Sequence, residues 1–517
     1  MPAGPLIGVD IGSQQIKIAE LRPGKNGLTV TGLGIGLTPF GVIQNNIITD
    51  PQAMGQAIKQ LMRESGISVK KAVGCISGQN AVVIRIIEVP RMTDSELKET
   101  MKWEVERHVP FAPSETVLDY QPLQQHTAEA QANPNMEVLL AVAQQDAVNN
   151  YIDTLFAAGL DPVAIDIEPL AIARAVLDVA EGRPVIRPQT LPGQQNFGED
   201  LLETVAVINI GAANTDIGIY QGDQLTFPRS LPLAGDSLTR TIAEALQYTS
   251  EQAEHVKRDY AVVQLDRMAV YTGTHWDGEG DGLEFTGEGN FDTGDEGDNP
   301  FGLGATDDGA SGFQTTPSGR LSTPSGRLGE GFDDMERTQP MPRRVLNLAG
   351  RSATPENSLP FMPPTDDSGF GLPPGAGGMD EDKLRDDIFE AIAPVLGELA
   401  SELRRSLDYY RSRGAQVSVD RVLLTGGSAN LPNLAAFLQN ELQVPVAVAN
   451  PLAGLTVTSK GFDPNYLPTI GPAFTVAIGL AARDAVFAAN PVPKAPKVSK
   501  KELAAAANAS APGAPTS

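Results

Sequence analysis

Residues 9–17 read VDIGSQQIK, and residues 208–220 read INIGAANTDIGIY. In each, a polar residue closes an apolar run, a glycine turns the chain, and short polar residues lead into the next apolar run. A tight hairpin of this kind aims successive backbone N–H groups at one point, which suits an anion. In the first, Ser13 adds a hydroxyl and Lys17 a positive charge, while Asp10 can hold the waters of a bound Mg2+. In the second, Asn209 ends the strand, Gly211 makes the turn, and Asn214 and Thr215 open the next strand. Singly, either stretch reads equally well as an ordinary hairpin with a capping polar residue. The recurrence carries the meaning, because two such loops facing each other would grip a polyphosphate from both sides.

Outward from these loops, the pattern repeats. Strands are expected at 6–10, 16–21 and 28–33, a helix at 52–65, and strands at 72–77 and 81–89. Thr93, with Glu96 three residues on, opens a helix to about residue 108. Strands at 115–122 and 136–143 and a helix at 146–158 follow. The second half begins again with strands at 205–210, 216–220 and 224–231 and helices at 236–248 and 250–260. A long helix at 381–413, a strand at 421–424 and helices at 431–442 and near 472–488 complete it. Two units of hairpin plus helix predict a duplicated, two-lobed α/β fold.

Two further segments bear on chemistry. Residues 423–434 read LLTGGSANLPNL, a strand running into Gly426, Gly427 and Ser428 and then a helix with Pro432 near its first turn. Paired glycines let backbone approach a flat ligand, and a helix N-terminus favours negative charge. In SEQAEHVKRDY (residues 250–260), Glu254 and Lys257 project from one helix face; a solvated face explains such a pair equally well.

The chain has 517 residues and a formal charge of −25, from 39 basic and 64 acidic side chains. Of that charge, −15 lies in residues 268–382, with 21 Asp and Glu against 6 Arg. The stretch is rich in Gly, Pro, Ser and Thr and repeats TPSGRL at 316–321 and 323–328. It has too little apolar surface to offset its chain entropy and is expected to be a disordered insertion. The Pro-, Ala- and Lys-rich end, 490–517, is expected to be a disordered tail without an amphipathic anchor. One cysteine, Cys75, and four histidines exclude a disulfide framework and most zinc sites. The acidic balance argues against nucleic acid as a partner. No run of about 18 apolar residues predicts a membrane span, and the opening MPAGPLIGVDIG does not read as a secretion signal. A cytoplasmic protein is expected.

The order of hairpin, second hairpin, AE-x-x-K helix, GGSANLP turn and closing AIGLAARD helix resembles the actin-like ATPase superfamily. Within it, the chain is similar to the PilM family of type IV pilus assembly proteins, related to the division protein FtsA. The segments KWEVERHVPFAPSETVLDYQPL (102–123), AIAPVLGELASELRRSLDYYR (391–411) and TIGPAFTVAIGLAARD (469–484) carry that similarity most specifically. The resemblance implies an actin-like, ribonuclease H-like duplicated fold with an inserted SHS2-type subdomain, called 1C. It implies a first subdomain over 1–89, 1C over 90–160, a second lobe over 161–261, an acidic insertion over 262–380, and the remainder over 381–489. It further implies ATP and Mg2+ as ligands. Asp10 (to the metal through water), Gly12, Ser13 and Lys17 would form one clamp, and Gly211, Asn214 and Thr215 the other. Glu254 and Lys257 would lie near ribose and adenine, with Gly426, Gly427 and Ser428 over the adenosine. The implied partner is a PilN-like bitopic membrane protein, whose N-terminal peptide sits between 1C and the first subdomain. That contact would tie the chain indirectly to the membrane, within the pilus assembly platform and its motor. Trp103, Phe111 and Tyr120 are candidates for that groove, with a core role the alternative.

One departure stands out. Many actin-like ATPases have Asp where this chain has Asn209, and an amide is neither a general base nor a charge for a metal-bound water. At most a slow ATPase is expected. An FtsA-like membrane-associated filament former is an alternative, and a small-molecule kinase of the same superfold another. The kinase needs a carboxylate base beside the γ-phosphate, which the motifs do not reveal.

Overall fold

The computed structural model describes residues 4–24, 27–123, 133–180, 203–222, 224–272, 381–412, 418–459, 462–463 and 465–489. The acidic insertion beyond residue 272 and the expected tail from 490 lie outside the described residues.

The first lobe opens with the antiparallel strands β1 (Leu6–Ile11), β2 (Gln15–Gly24) and β3 (Gly27–Leu37). A two-residue turn joins β4 (Ile43–Gln44) to β5 (Ile47–Ile48). Helix α1 (Pro51–Glu64) starts where Asp50 accepts the Ala53 N–H and Pro51 supplies a preset φ. After β6 (Lys71–Ile76) come β7 (Val82–Pro90), α2 (Asp94–His108), β8 (Thr116–Pro122) and β9 (Asn135–Gln144). These four elements make a small unit of their own, sheet order β7-β9-β8 with α2 against it. Ile87, Leu97, Met101, Val138, Leu140 and Val142 form its core. The expected capping box is present: Thr93 N–H donates to Glu96 (2.9 Å), and Glu96 N–H donates to Thr93 Oγ1 (3.4 Å). Phe111 and Tyr120 pack against this core, whereas Trp103 is 69% exposed.

The chain returns through α3 (Gln145–Ala157), β10 (Asp161–Ile167), α4 (Glu168–Ala173) and a π-helical turn (Arg174–Ala180). The second lobe then repeats the opening with β11 (Thr204–Ile210), β12 (Thr215–Gln221) and β13 (Gln224–Leu231). Helices α5 (Gly235–Leu246), α6 (Ser250–Tyr260), α7 (Leu265–Thr272) and α8 (Glu381–Ser412) follow. Next come β14 (Arg421–Thr425), a 3-10 turn (Gly427–Asn430), α9 (Leu434–Leu442), β15 (Val446–Val448) and β16 (Thr456–Val457). The last helices are α10 (Leu467–Ile470), α11 (Thr475–Ala481) and α12 (Arg483–Ala489).

The duplication is exact in strand order. The first sheet runs β3-β2-β1-β6-β10 and the second β13-β12-β11-β14-β15. In both, the first three strands are antiparallel neighbours and the last two join in parallel. Strand β16 comes from the second half of the chain yet pairs with β3 of the first sheet. Between the lobes lie α4 and the fully buried α11. Their backbones approach so closely that a methyl on Gly479 would overlap the Ala171 carbonyl, and one on Gly8 of β1 the Ala477 carbonyl. Arg174 locks the junction, donating to Gly479 O (2.9 Å) and pairing with Asp166.

Three expectations are corrected. The insertion does not begin at 262, because Val263 and Met268 are buried and 265–272 is helical. The helix expected from 431 starts only at Leu434, since Asn433 adopts φ 66° and cannot continue an α-turn. The helix expected over 472–488 divides, with a 3-10 turn (Gly471–Phe474) leading into α11. Strand β10 escapes alternation, its register shifting between Pro162 and Ala164 with Val163 as the extra residue.

Candidate functional site

The two glycine hairpins close with the same bond. Gly12 N–H donates to Gln15 O at 3.0 Å, and Gly211 N–H donates to Asn214 O at 3.0 Å. Register then equates their residues: Asp10 lies opposite Lys17 in the first, and Asn209 opposite Asp216 in the second. The hairpins thus carry reversed chemistry, a carboxylate with a cation on one side and an amide with a carboxylate on the other. Lys17 Nζ stands 3.5 Å from Asp10 Oδ2. Burial raises the Asp10 carboxyl, and Lys17 pulls it back. The lobes meet at these loops, where the Gln14 amide donates to Asp236 Oδ1 at 3.2 Å.

Around the second hairpin, the expected residues gather with altered duties. Ser428 donates its hydroxyl to Gly211 O at 3.1 Å, fastening the GGS turn to the hairpin. Gly426 holds φ 92° with Ile210 O so near that a side chain would collide, while Gly427 faces open space. Thr215 is fully buried and donates to Leu233 O at 2.6 Å. Its hydroxyl braces the loop from behind and does not face the cleft, contrary to expectation. Lys257 lies 2.6 Å from Glu254 Oε2 and donates to Gly235 O (3.0 Å) and Thr239 Oγ1 (2.8 Å). These two side chains hold each other and the first turn of α5, beside Ser428.

Two carboxyls on the cleft floor escape the motif reading. Glu168, which opens α4 and is 7% exposed, accepts from the Asn209 amide. Burial and the charges of Asp216 and Asp10 push Glu168 up to about 8, against hydrogen bonds from Ser77 and Asn209. Burial likewise pushes Asp216 up, to about 6. An apolar strand ending in Glu-Pro is a helix-start signal that marks Glu168. Among the described residues, no three such groups converge closely enough to hold a metal ion directly.

The sequence profile of the family described as type IV pilus assembly protein PilM matches residues 8–264 and 381–485. The chain belongs to the PilM family. The matched segments cover both lobes and stop on either side of the acidic insertion. A solved PilM–PilN type IV pilus biogenesis complex is 25% identical, with a TM-score of 0.59 and coverage of 92% of this chain and 98% of that one. FtsA of Streptococcus pneumoniae is 23% identical, aligned over 50% of this chain and 56% of its own length. FtsA of Bacillus subtilis is 25% identical, over 51% and 59%. The chain therefore spans little more than half the length of these curated relatives. The duplicated lobes are those of an actin-like fold, FtsA-related and carrying the PilM family's inserted unit.

Proposed function

We propose that this PilM-family chain is an ATP-binding component of the type IV pilus assembly platform that docks the N-terminal peptide of a PilN-like membrane protein. The observation that carries the reading is the pair of hairpins with one closing geometry, brought together at the mouth of a single cleft. Gly12, Ser13 and Lys17 would take the phosphates from one side, Gly211 and Asn214 from the other, with Thr215 bracing the loop. Gly426, Gly427 and Ser428 would flank the adenosine, with Glu254 and Lys257 shaping its floor. Asp10 suits Mg2+ held through water: the neighbouring Glu168 carboxyl is crowded by the charges of Asp216 and Asp10, and a divalent cation would relieve that crowding. The bound metal would neutralise phosphate charge. Asn209 cannot take a proton from water, so nucleotide would be held longer than it is cleaved.

The solved PilM–PilN complex supports the choice of partner. We assign the peptide to the face between the β7-β9-β8 unit, which begins at Val82 rather than at 90, and the first lobe. The second lobe does not begin at 161 as expected, because β10 joins the first sheet beside β6; it runs from β11 through α7 and resumes at 381. Among the described residues no helix is long and apolar enough to cross a membrane, so membrane attachment is assigned to the partner. Nucleotide would tune docking by preferring one interlobe angle.

Two measurements test this. Mg-ATP at about 100 times its dissociation constant should stabilise the fold by about 2.7 kcal/mol; an unchanged melting curve contradicts nucleotide binding. A synthetic N-terminal peptide of the organism's PilN-like protein should be retained by the chain to different extents with and without ATP. No retention in either state removes the docking role.

A further inference from the structure

Three side chains cross between the lobes at the cleft mouth. Gln14, at the tip of the first hairpin, donates to Asp236 Oδ1 (3.2 Å). Asn214, at the tip of the second, donates to Asn46 Oδ1 (3.4 Å) in the turn between β4 and β5. Gln79, between β6 and β7, donates to the Ser230 carbonyl of β13. The partners are 222, 168 and 151 residues apart in sequence, so each bond closes an interlobe contact.

The acceptors are held in place. Asn46 adopts φ 65° and packs where any side chain on Gly78 would sit. The Asp236 N–H donates to Ala212 O (2.8 Å) and the Gly235 N–H to Gly211 O (3.1 Å), which locks Asp236 to the second hairpin. The Gln14 bond therefore ties hairpin to hairpin. All three donors are neutral amides. Each such bond is worth little alone and exchanges readily, which suits a fastening that opens and closes.

We infer that Gln14, Asn214 and Gln79 form a clasp that holds the lobes together in the free protein, and that a polyphosphate reaching the hairpins must release Gln14 from Asp236. The second half rests on the nucleotide reading proposed above; the first half concerns the free protein alone. Gln14 adjoins Ser13, and Asn214 closes the other turn, so a ligand seated on the loop N–H groups displaces the amides that bridge them.

The test uses spin labels at the exposed positions Lys59→Cys on α1 and Glu244→Cys on α5, with Cys75 buried and unreactive. In the free protein, combining Gln14→Ala with Asn214→Ala should widen the interlobe distance distribution. Gln14→Glu, which sets a carboxylate against Asp236, should also widen it, and added salt should diminish that effect. Unchanged distributions in both variants overturn the clasp. With Mg-ATP, Gln14→Ala alone, which leaves Asn214 in place, should associate about threefold to tenfold faster, the equivalent of one neutral hydrogen bond. Wider lobes without faster association overturn the release step. If the parent chain does not bind Mg-ATP, the nucleotide reading fails while the distances still decide the clasp.

Discussion

The side-chain amide of Asn209 donates to the carboxyl of Glu168, two buried residues 41 positions apart that meet where α4 enters the space between the lobes. The opposite hairpin carries Asp10 at the equivalent position. A carboxylate at 209 would therefore meet Glu168 head-on, with Asp10 and Asp216 already near. The amide provides a donor where the cleft is crowded with acceptors. It keeps Glu168 fixed, and as an amide it cannot itself accept a proton.

Glu168 gives the free protein a pH-dependent stability with a definite sign. Its carboxyl is raised from the ordinary 4.5 to about 8, so between those values the folded chain binds a proton that the unfolded chain has released. Stability is fully present below the lower value and declines as pH rises toward the higher, by at most about 1.4 kcal/mol per pH unit. Urea unfolding at pH 6 and pH 8, without nucleotide, should show the decline. Glu168→Gln should flatten it. An equal slope in that variant would place the proton elsewhere.

Asn209→Asp should act in the opposite direction. It replaces a donor to Glu168 with a second acid, and two adjacent carboxyls cannot both ionise. The variant should lose about 1–3 kcal/mol of stability, more at pH 8 than at pH 6. A loss independent of pH would mean that residue 209 matters through packing alone.

Much of this site is legible in sequence because a hairpin is local. The register that sets Asp10 opposite Lys17 follows from alternation and one glycine turn. Contacts set by packing are not legible. Glu168 reaches Asn209 only through the seating of α4 against α11, and nothing in the spacing of the two residues announces it. Thr215 was expected in the clamp because a hydroxyl after a turn can serve a ligand; on β12 it faces the core, where Leu233 O takes it. The GGS turn was expected at a helix N-terminus, but the left-handed Asn433 delays α9 by a full turn. The course of the chain around the insertion was equally hidden, because α7 carries only eight residues and its burial depends on α8.

Asp10→Ala tests the assignment of the first hairpin. Loss of a charge-assisted partner for the hydrated metal should weaken Mg-ATP binding by about 1–3 kcal/mol. The free protein should hold its fold, because the removed carboxyl is itself burdened by burial. Calorimetry that finds equal affinity would move the metal away from Asp10.

Removal of the acidic insertion is constrained by the direction of the helices that bound it. Gln264 donates to Asp386, Arg267 pairs with Glu390, and the Tyr271 carbonyl lies against Gly397, so α7 and α8 advance side by side in the same direction. Thr272 therefore ends beside the middle of α8, sixteen residues past Glu381. At 1.5 Å per residue that separation is about 24 Å, and extended chain needs at least about seven residues to cross it. Joining Thr272 directly to Glu381 should pull α7 off α8, expose Met268 and lower stability by about 2–5 kcal/mol, the cost of losing a buried apolar side chain. Replacing 273–380 with about twelve Gly and Ser residues should preserve the melting temperature and any Mg-ATP response. Equal stability of the direct junction and the linked form would show that α7 does not hold the second lobe together.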